Sequence, residues 1–238
     1  MKRQILMVVG NPATGPGGVP VGFWAAELTH PYFLFSEFGC EVTLASNDGG
    51  KVIFDAYSDP RHPSGHSSRD LVSLGFVQTP SLMAQLEATA PISSVSSADY
   101  DAIFVSGGSS PMFTFKTAKN LQSKFLEFCE SGKPSSTICH GGALLLFLQR
   151  PNGRPFVEGL TFTASSNTKE DLIAAKLGKG FFPFRIEDEA NRLGARFVAN
   201  ADPLAPFATR DGNVITGQQE HSGFETARLV IQALNEGT

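Results

Sequence analysis

Short apolar runs that stop abruptly at glycine or polar residues constrain the fold of this chain more than any other feature. Residues 5–9 read ILMVV and stop at Gly10-Asn11-Pro12, and residues 100–105 stop at Ser106-Gly107-Gly108. A continuous apolar run of this length is typical of a strand that is buried on both faces. Because segments of helical character separate these runs, we predict an α/β fold with a doubly wound, mostly parallel sheet sandwiched by helices.

The same pattern places individual elements along the chain. Pro31 is expected to end or kink the first helix near His30, because proline lacks an N–H and its ring clashes with the preceding turn. Asp211-Gly212 predicts a β-hairpin, and the polar residues 47–68 predict a long loop. Strands are predicted at residues 5–9, 41–45, 100–105, 135–138, 160–164 and 196–199, and helices at 22–37, 118–131, 141–149, 168–177, 183–193 and 222–234.

Composition limits the classes of protein to which the chain can belong. Its 238 residues are 41% hydrophobic and 18% charged, and we predict one domain over residues 1–238. The net charge is −4 without a basic block, which argues against nucleic acid as a partner. We expect no membrane span, because no stretch approaches the required apolar length of about 20 residues. Three cysteines without framework spacing favour a reducing, cytoplasmic location.

The tetrapeptide Cys139-His140-Gly141-Gly142 carries the strongest chemical signal. It lies between a predicted strand and a predicted helix, where unpaired N–H groups and the helix dipole favour a thiolate. A nucleophile at such an elbow is a recurring catalytic device. A small buried residue at a tight turn is the alternative interpretation, because free cysteine is often buried.

Other reactive groups follow neighbouring strands and are expected to meet Cys139 at one edge of the sheet. The N–H groups of Gly107, Gly108 and His140 would suit an oxyanion hole, although the glycine pair also fits a plain strand-to-loop turn. Glu27 lies in an apolar stretch, where burial would raise its pKa and suit it to proton transfer. A solvent-facing position for Glu27 is the alternative.

His140 is a candidate general base, and such a base needs a carboxylate that orients it. Glu170 and Asp171 are the available candidates. His62, His66 and Asp70 would be the metal ligands if the chain bound one, but they lack a zinc pattern, so no metal site is predicted. Residues 11–15 do not match a phosphate-binding loop, and no G-x-G-x-x-G opens a helix, so no cofactor is expected.

Two segments resemble the ThiJ/PfpI superfamily of class I glutamine-amidotransferase-like, flavodoxin-like folds: residues 102–108 (AIFVSGG) and 138–141 (ICHG). The segment from Glu27 to Pro31 is similar to the branch that contains the glutathione-independent glyoxalase (glyoxalase III) and related heat-shock chaperones. The resemblance implies a nucleophilic Cys139 that is hydrogen-bonded to Glu27, a general base at His140 and an acid at Glu170. Residues 165–170 (SSNTKE) depart from the branch's aromatic-Thr-Asn/Asp run, so Asp171 is kept as the alternative acid.

The resemblance implies a stress-related lyase that converts methylglyoxal, a small 2-oxoaldehyde, to lactate through a hemithioacetal on Cys139, without a cofactor. A holdase chaperone is the first alternative. The chain starts at its first predicted strand, whereas larger chaperone members carry an additional N-terminal segment, and this makes the chaperone the weaker expectation. A cysteine-dependent peptidase, amidase or deglycase is the second alternative, and a homodimer is expected.

Overall fold

The computed structural model describes residues 2–236 and has a seven-stranded central sheet. The strands of the described residues, in and outside this sheet, are β1 (Gln4–Val9), β2 (Ala13–Thr14), β3 (Pro20–Val21), β4 (Glu41–Ser46), β5 (Ala90–Pro91), β6 (Ala102–Val105), β7 (Ser135–Ile138), β8 (Thr161–Phe162), β9 (Arg196–Phe197), β10 (Ala208–Asp211) and β11 (Val214–Gly217). The order in the central sheet is β10-β11-β7-β6-β1-β4-β5. Its neighbouring strands are parallel, except that β10 pairs antiparallel with β11. The predicted mostly parallel α/β sheet is confirmed.

Helices cover both faces of this sheet. They are α1 (Ala25–Glu37), α2 (Leu71–Val77), α3 (Pro80–Glu87), α4 (Pro111–Thr114), α5 (Lys119–Glu130), α6 (Ala143–Leu146), α7 (Asn167–Leu177), α8 (Ile186–Arg192) and α9 (Gly223–Glu236). The core of one face includes α1, α2, α3 and α9, and the core of the other includes α5, α6 and α8. Within residues 2–236, none of the helices has the length and apolar character that a membrane crossing requires.

Strand β1 shows why the apolar runs are continuous. Ile5, Met7 and Val9 pack into the core on one face of the sheet, and Leu6 and Val8 pack into the core on the other. All five side chains are fully buried. Alternate residues of a strand point to opposite faces, so a strand between two helical layers needs apolar residues at every position.

The first helix differs from its prediction, because α1 continues through Pro31 to Glu37. Proline at position 31 cannot donate a hydrogen bond to the carbonyl four residues earlier, which belongs to Glu27. The Ser106 hydroxyl donates to that carbonyl instead, at 3.1 Å. A partner outside the helix therefore replaces the missing bond. Of the expected end or kink near His30, the end is wrong.

Three other regions differ from the sequence-based elements. The predicted helix at 141–149 is reduced to α6, and a 3₁₀ turn over Cys139–Gly142 precedes it. Strands β8 and β9 pair with each other in a separate two-stranded sheet. Residues 71–91 had no predicted element, but they contain α2, α3 and β5. The predicted hairpin is present as β10 and β11, and Gly212 has a φ of +61° in its turn.

Candidate active site

The sheet brings the predicted reactive segments together. Strands β6 and β7 are neighbours, so Gly107-Gly108 and Cys139 leave the same edge of the sheet side by side. A Cβ placed on Gly107 would lie 2.8 Å from the backbone nitrogen of His140. Parallel strands end at the same edge, and ligands of such sheets bind there.

Cys139 has a strained backbone. Its φ is +54°, and it is the one residue other than glycine with a positive φ among residues 2–236. This region of φ is unfavourable for a side chain with a Cβ, and strain of this kind clusters at functional sites. The turn points the Cys139 side chain into a buried position, as a nucleophile elbow does.

A buried relay of three side chains leads away from the thiol. The Cys139 Sγ lies 3.6 Å from His140 Nδ1, and His140 Nε2 lies 2.7 Å from Glu170 Oε1. The Ser165 hydroxyl donates to the same Glu170 oxygen at 2.5 Å. Burial raises the pKa of Glu170, but the His140 ring and the hydrogen bonds outweigh burial and lower that pKa. Glu170 is therefore an ionised group that accepts from Nε2–H and turns the free Nδ1 lone pair toward sulfur.

The structure separates the two acids that the sequence left open. Glu170 contacts His140, whereas the Asp171 side chain is 66% exposed and pairs with Arg185. Consecutive residues of a helix point about 100° apart, so only one of the two can face the ring. Glu170 occupies the orienting position.

Glu27 is buried beside the thiol, and the solvent-facing alternative is wrong. Glu27 is 1% exposed, its carboxyl accepts the Gly107 N–H at 2.9 Å, and it lies close enough to the Cys139 thiol for each group to shift the pKa of the other. Burial raises the pKa of Glu27 well above its ordinary value, and the charge of Glu220 adds to this shift. Burial thus favours the protonated form of Glu27.

The thiol is also held in its neutral form. Burial raises the pKa of Cys139, and the Glu27 carboxylate would raise it further. The thiolate that the turn position predicted is therefore not the resting form, because burial outweighs the turn. Cys139 and Glu27 keep at least one proton between them, and His140 Nδ1 is placed to receive the thiol proton.

The predicted oxyanion hole is partly wrong. The Gly107 N–H is already bound to Glu27, so it is not available to a ligand. Within residues 2–236, the Gly108 N–H has no protein acceptor. Gly108 has a φ of +92°, and a Cβ there would lie 2.3 Å from the Trp24 nitrogen. Only glycine fits this position, and the remaining predicted donors are Gly108 and His140.

Asp55, which the sequence did not single out, fixes the glycine loop. Its carboxylate accepts the N–H groups of Gly22 at 2.9 Å and Ser109 at 2.6 Å. These two bonds tie the loop after β6 to the chain before α1. The position of Gly108 next to Trp24 follows from this connection.

Aromatic side chains form a wall next to the relay. The Phe182 ring lies 4.5 Å from the His140 ring, and Phe113 contacts both Phe181 and Phe182. This places the Phe-rich segment after α7 against the His140 ring. Such a wall favours small, partly apolar ligands over highly charged ones.

The three residues considered as metal ligands do not meet. Asp70 contacts His30 Nε2 at 2.9 Å and caps α2 through Ser73, while His62 bonds Ser64. Burial disfavours ionisation of Asp70, but the hydrogen bonds from His30 and Ser73 lower its pKa to about 2. No group of three or more His, Cys, Asp or Glu side chains in residues 2–236 is arranged to hold a metal ion.

A buried ion pair near the thiol was missed by sequence reasoning. Lys169 Nζ lies 2.6 Å from Glu220 Oε1, and the two side chains are 9% and 13% exposed. Lys169 lies in the polar first turn of α7 and Glu220 lies in a polar turn, so both resemble surface residues in the sequence. No sequence signal indicated that they pair.

Comparisons with known proteins agree on one family. The family model described as "DJ-1/PfpI family" matches residues 19–233. A glutathione-independent glyoxalase of Schizosaccharomyces pombe is 30% identical over 91% of this chain and 89% of its own length. The crystal structure of glyoxalase III from Candida albicans has a TM-score of 0.82 and 27% identity, and covers 97% of each chain. The Rapid Encystment Protein of Francisella tularensis has a TM-score of 0.87 and 25% identity, over 98% of this chain and 99% of its own.

Proposed function

This chain belongs to the DJ-1/PfpI family, and we propose that it is a glutathione-independent glyoxalase that converts methylglyoxal and similar 2-oxoaldehydes to 2-hydroxy acids. Its relatives with this name cover most of its length. The observation that carries the proposal is the buried relay from Cys139 through His140 to Glu170, with the buried carboxyl of Glu27, whose pKa is raised by burial, beside it. This set provides a nucleophile, a base and an acid without a further group.

The reaction begins with transfer of the thiol proton. His140 Nδ1 takes the proton from Sγ, and the sulfur attacks the aldehyde carbon of the substrate. The carbonyl oxygen then receives that proton from His140, which gives a hemithioacetal. Charge that develops on this oxygen is stabilised by the N–H groups of Gly108 and His140.

The next steps move one hydrogen between the two carbons. His140, neutral again, removes the proton from the former aldehyde carbon, while Glu27 protonates the ketone oxygen to give an enediol. His140 then returns its proton to the second carbon. The hydroxyl on the first carbon returns a proton to Glu27, which leaves a thioester. Hydrolysis of the thioester by water releases the 2-hydroxy acid and restores the thiol.

Replacement of the thiol tests this proposal. With Cys139→Ala, lactate formation from methylglyoxal without glutathione should fall by at least about 10³-fold, because the covalent step is lost. Cys129→Ala is the matched control, since Cys129 is also a free cysteine but lies outside the relay, and it should keep most of the activity. Unchanged lactate formation in the Cys139 variant would contradict the proposal.

The holdase, peptidase, amidase and deglycase hypotheses stay predictions, as do the homodimer and the cytoplasmic location. A holdase would suppress aggregation of a denatured client in the Cys139→Ala variant as well as in the unaltered chain. The lactate assay therefore separates the chaperone from the enzyme.

A further inference from the structure

The Lys169–Glu220 ion pair is unusual for its burial. In every other pair of Lys or Arg with a carboxylate in residues 2–236, at least one partner is more than a third exposed. A buried ion pair is weak evidence for stability, because the loss of hydration offsets much of the attraction. Its place in the fold points to a role other than stability.

The ion pair connects the helix that carries Glu170 to the turn that follows β11. Lys169 lies in the first turn of α7 next to Glu170, which holds His140. Glu220 begins the 3₁₀ turn between β11 and α9. Gly217, at the end of β11, is paired with Ile138, so the chain before Glu220 runs beside the chain before Cys139.

The turn that contains Glu220 also lies against the helix that carries Glu27. A Cβ placed on Gly223 would lie 3.4 Å from the Ala26 carbonyl and 3.2 Å from the His30 Cβ. The turn that contains Glu220 therefore packs against α1, and the ion pair joins this turn to α7.

The two charges act on the thiol in opposite directions. Glu220 raises the pKa of Cys139 and of Glu27, while Lys169 lowers the pKa of Cys139. Burial disfavours the Glu220 carboxylate, but the Lys169 ammonium outweighs this and lowers the pKa of Glu220. Glu220 is thus ionised, and the effects of the two side chains on the pKa of the thiol oppose each other.

We propose that Lys169 and Glu220 are positioning residues whose opposite charges balance at Cys139, so that the ion pair sets the ease with which the thiol loses its proton. This role rests on the proposed function only for the identity of the reaction that the Cys139 thiol performs. Neither residue needs to touch the substrate.

Other ionisable groups that face this region stay in place when the ion pair is changed. Glu27 lies on α1, Asp55 precedes the 3₁₀ turn at 56–58, and Glu170 lies on α7. His66 also lies in this region, where burial and the charge of Lys176 lower its pKa and Glu220 raises it, and His221 lowers the pKa of Glu220. These groups are the same in the unaltered chain and in each variant, so their effects on the pKa of Cys139 cancel when the variants are compared.

The test measures the ionisation of Cys139 without methylglyoxal. The rate of alkylation by iodoacetamide is followed from pH 6 to pH 11, and modified Cys139 is distinguished from Cys40 and Cys129 by peptide mass. Lys169→Gln should raise the apparent pKa of alkylation by about one unit, and Glu220→Gln should lower it by about one unit. The double variant should stay within about 0.3 unit of the unaltered chain, because both charges are removed.

A purely structural role would give a different result. Loss of packing would move the apparent pKa of alkylation in the same direction in both single variants, and that outcome, or the absence of any shift, would overturn the proposal.

Glu225→Gln is the matched control, because it removes one exposed carboxylate from the helix that follows Glu220, and it should leave the pH profile of alkylation unchanged. If circular dichroism shows that a single variant is unfolded, a shift of more than about one unit in the double variant overturns the proposal. A failed lactate assay would leave these outcomes unaffected.

Discussion

At the scale of single residues, Glu27 links catalysis to a cost in stability. Burial raises the pKa of its carboxyl in the folded protein, whereas the same group in the unfolded chain ionises near its ordinary pKa of 4.5. Because the folded-state pKa is raised, stability is lost as the pH rises from 4.5 toward that raised value. Residues that are unfavourable for the fold in this way are found at functional sites.

We expect Glu27→Gln to lose activity and gain stability. The amide preserves the acceptor for the Gly107 N–H but cannot exchange protons, so lactate formation should fall by about 10²- to 10⁴-fold. The gain in the free energy of unfolding should grow from pH 4.5 to pH 8, as measured by guanidinium titrations at several pH values. Glu37→Gln, at the exposed end of the same helix, should show neither effect. A gain that is constant with pH would contradict a raised pKa at Glu27.

Single residues also show what local sequence can and cannot predict about the site. Cys139, His140 and the glycine pair follow strand ends, so the topology of a parallel sheet was enough to bring them together. The choice of Glu170 over Asp171 depends on the rotation of α7, which the sequence leaves open. The Lys169–Glu220 pair joins positions 51 residues apart in the sequence, and only the packed fold brings them together.

At the scale of elements, α1 shows how tertiary contacts override a local signal. Proline in a helix usually ends it because one carbonyl loses its partner. In α1, that carbonyl belongs to Glu27 and accepts from the buried Ser106 hydroxyl. The helix therefore continues past Pro31, and Glu27 keeps its place within it.

The Ser106 contact predicts a coupling between two substitutions. Ser106→Ala should lower the free energy of unfolding by about 1–3 kcal/mol, because it leaves a buried carbonyl without a partner. In a Pro31→Ala background, residue 31 regains an N–H that can donate to the same carbonyl, so Ser106→Ala should cost clearly less. Urea unfolding of the four proteins of this cycle measures the coupling. Equal costs in both backgrounds would show that Ser106 does not replace the helical bond.

Element prediction succeeded where burial alone decides the structure. The strands β1 and β6 are buried in the middle of the sheet, and their apolar runs are read directly from the sequence. The short pair β8 and β9 lies outside the central sheet, so the general α/β pattern could not place it. The helices α2 and α3 are short and partly exposed, which leaves little apolar periodicity to detect.

At the scale of the whole molecule, the contact between Asp70 and His30 joins the long segment between β4 and β5 to helix α1. Asp70 caps α2 through the Ser73 N–H at 3.1 Å and meets His30 of α1 at 2.9 Å. The Asp70 pKa is lowered from 3.8 to about 2. A lowered pKa means that the contact contributes stability above pH 3.8 and that this contribution is lost as the pH falls toward 2.

Asp70→Asn tests how far this one carboxylate controls acid unfolding of the molecule. Asparagine is also a good N-cap, so the cap on α2 is kept and the change removes mainly the charge that faces His30. The variant should be less stable than the unaltered chain at pH 5 by about 1–2 kcal/mol. The difference should shrink between pH 4 and pH 2, because protonation removes the same charge from the unaltered chain.

Asp171→Asn, which removes the carboxylate of an exposed ion pair, should change stability by less than about 1 kcal/mol. Thermal unfolding of the three proteins at each pH measures both effects, and a difference at pH 2 as large as at pH 5 would mean that Asp70 acts through packing rather than charge.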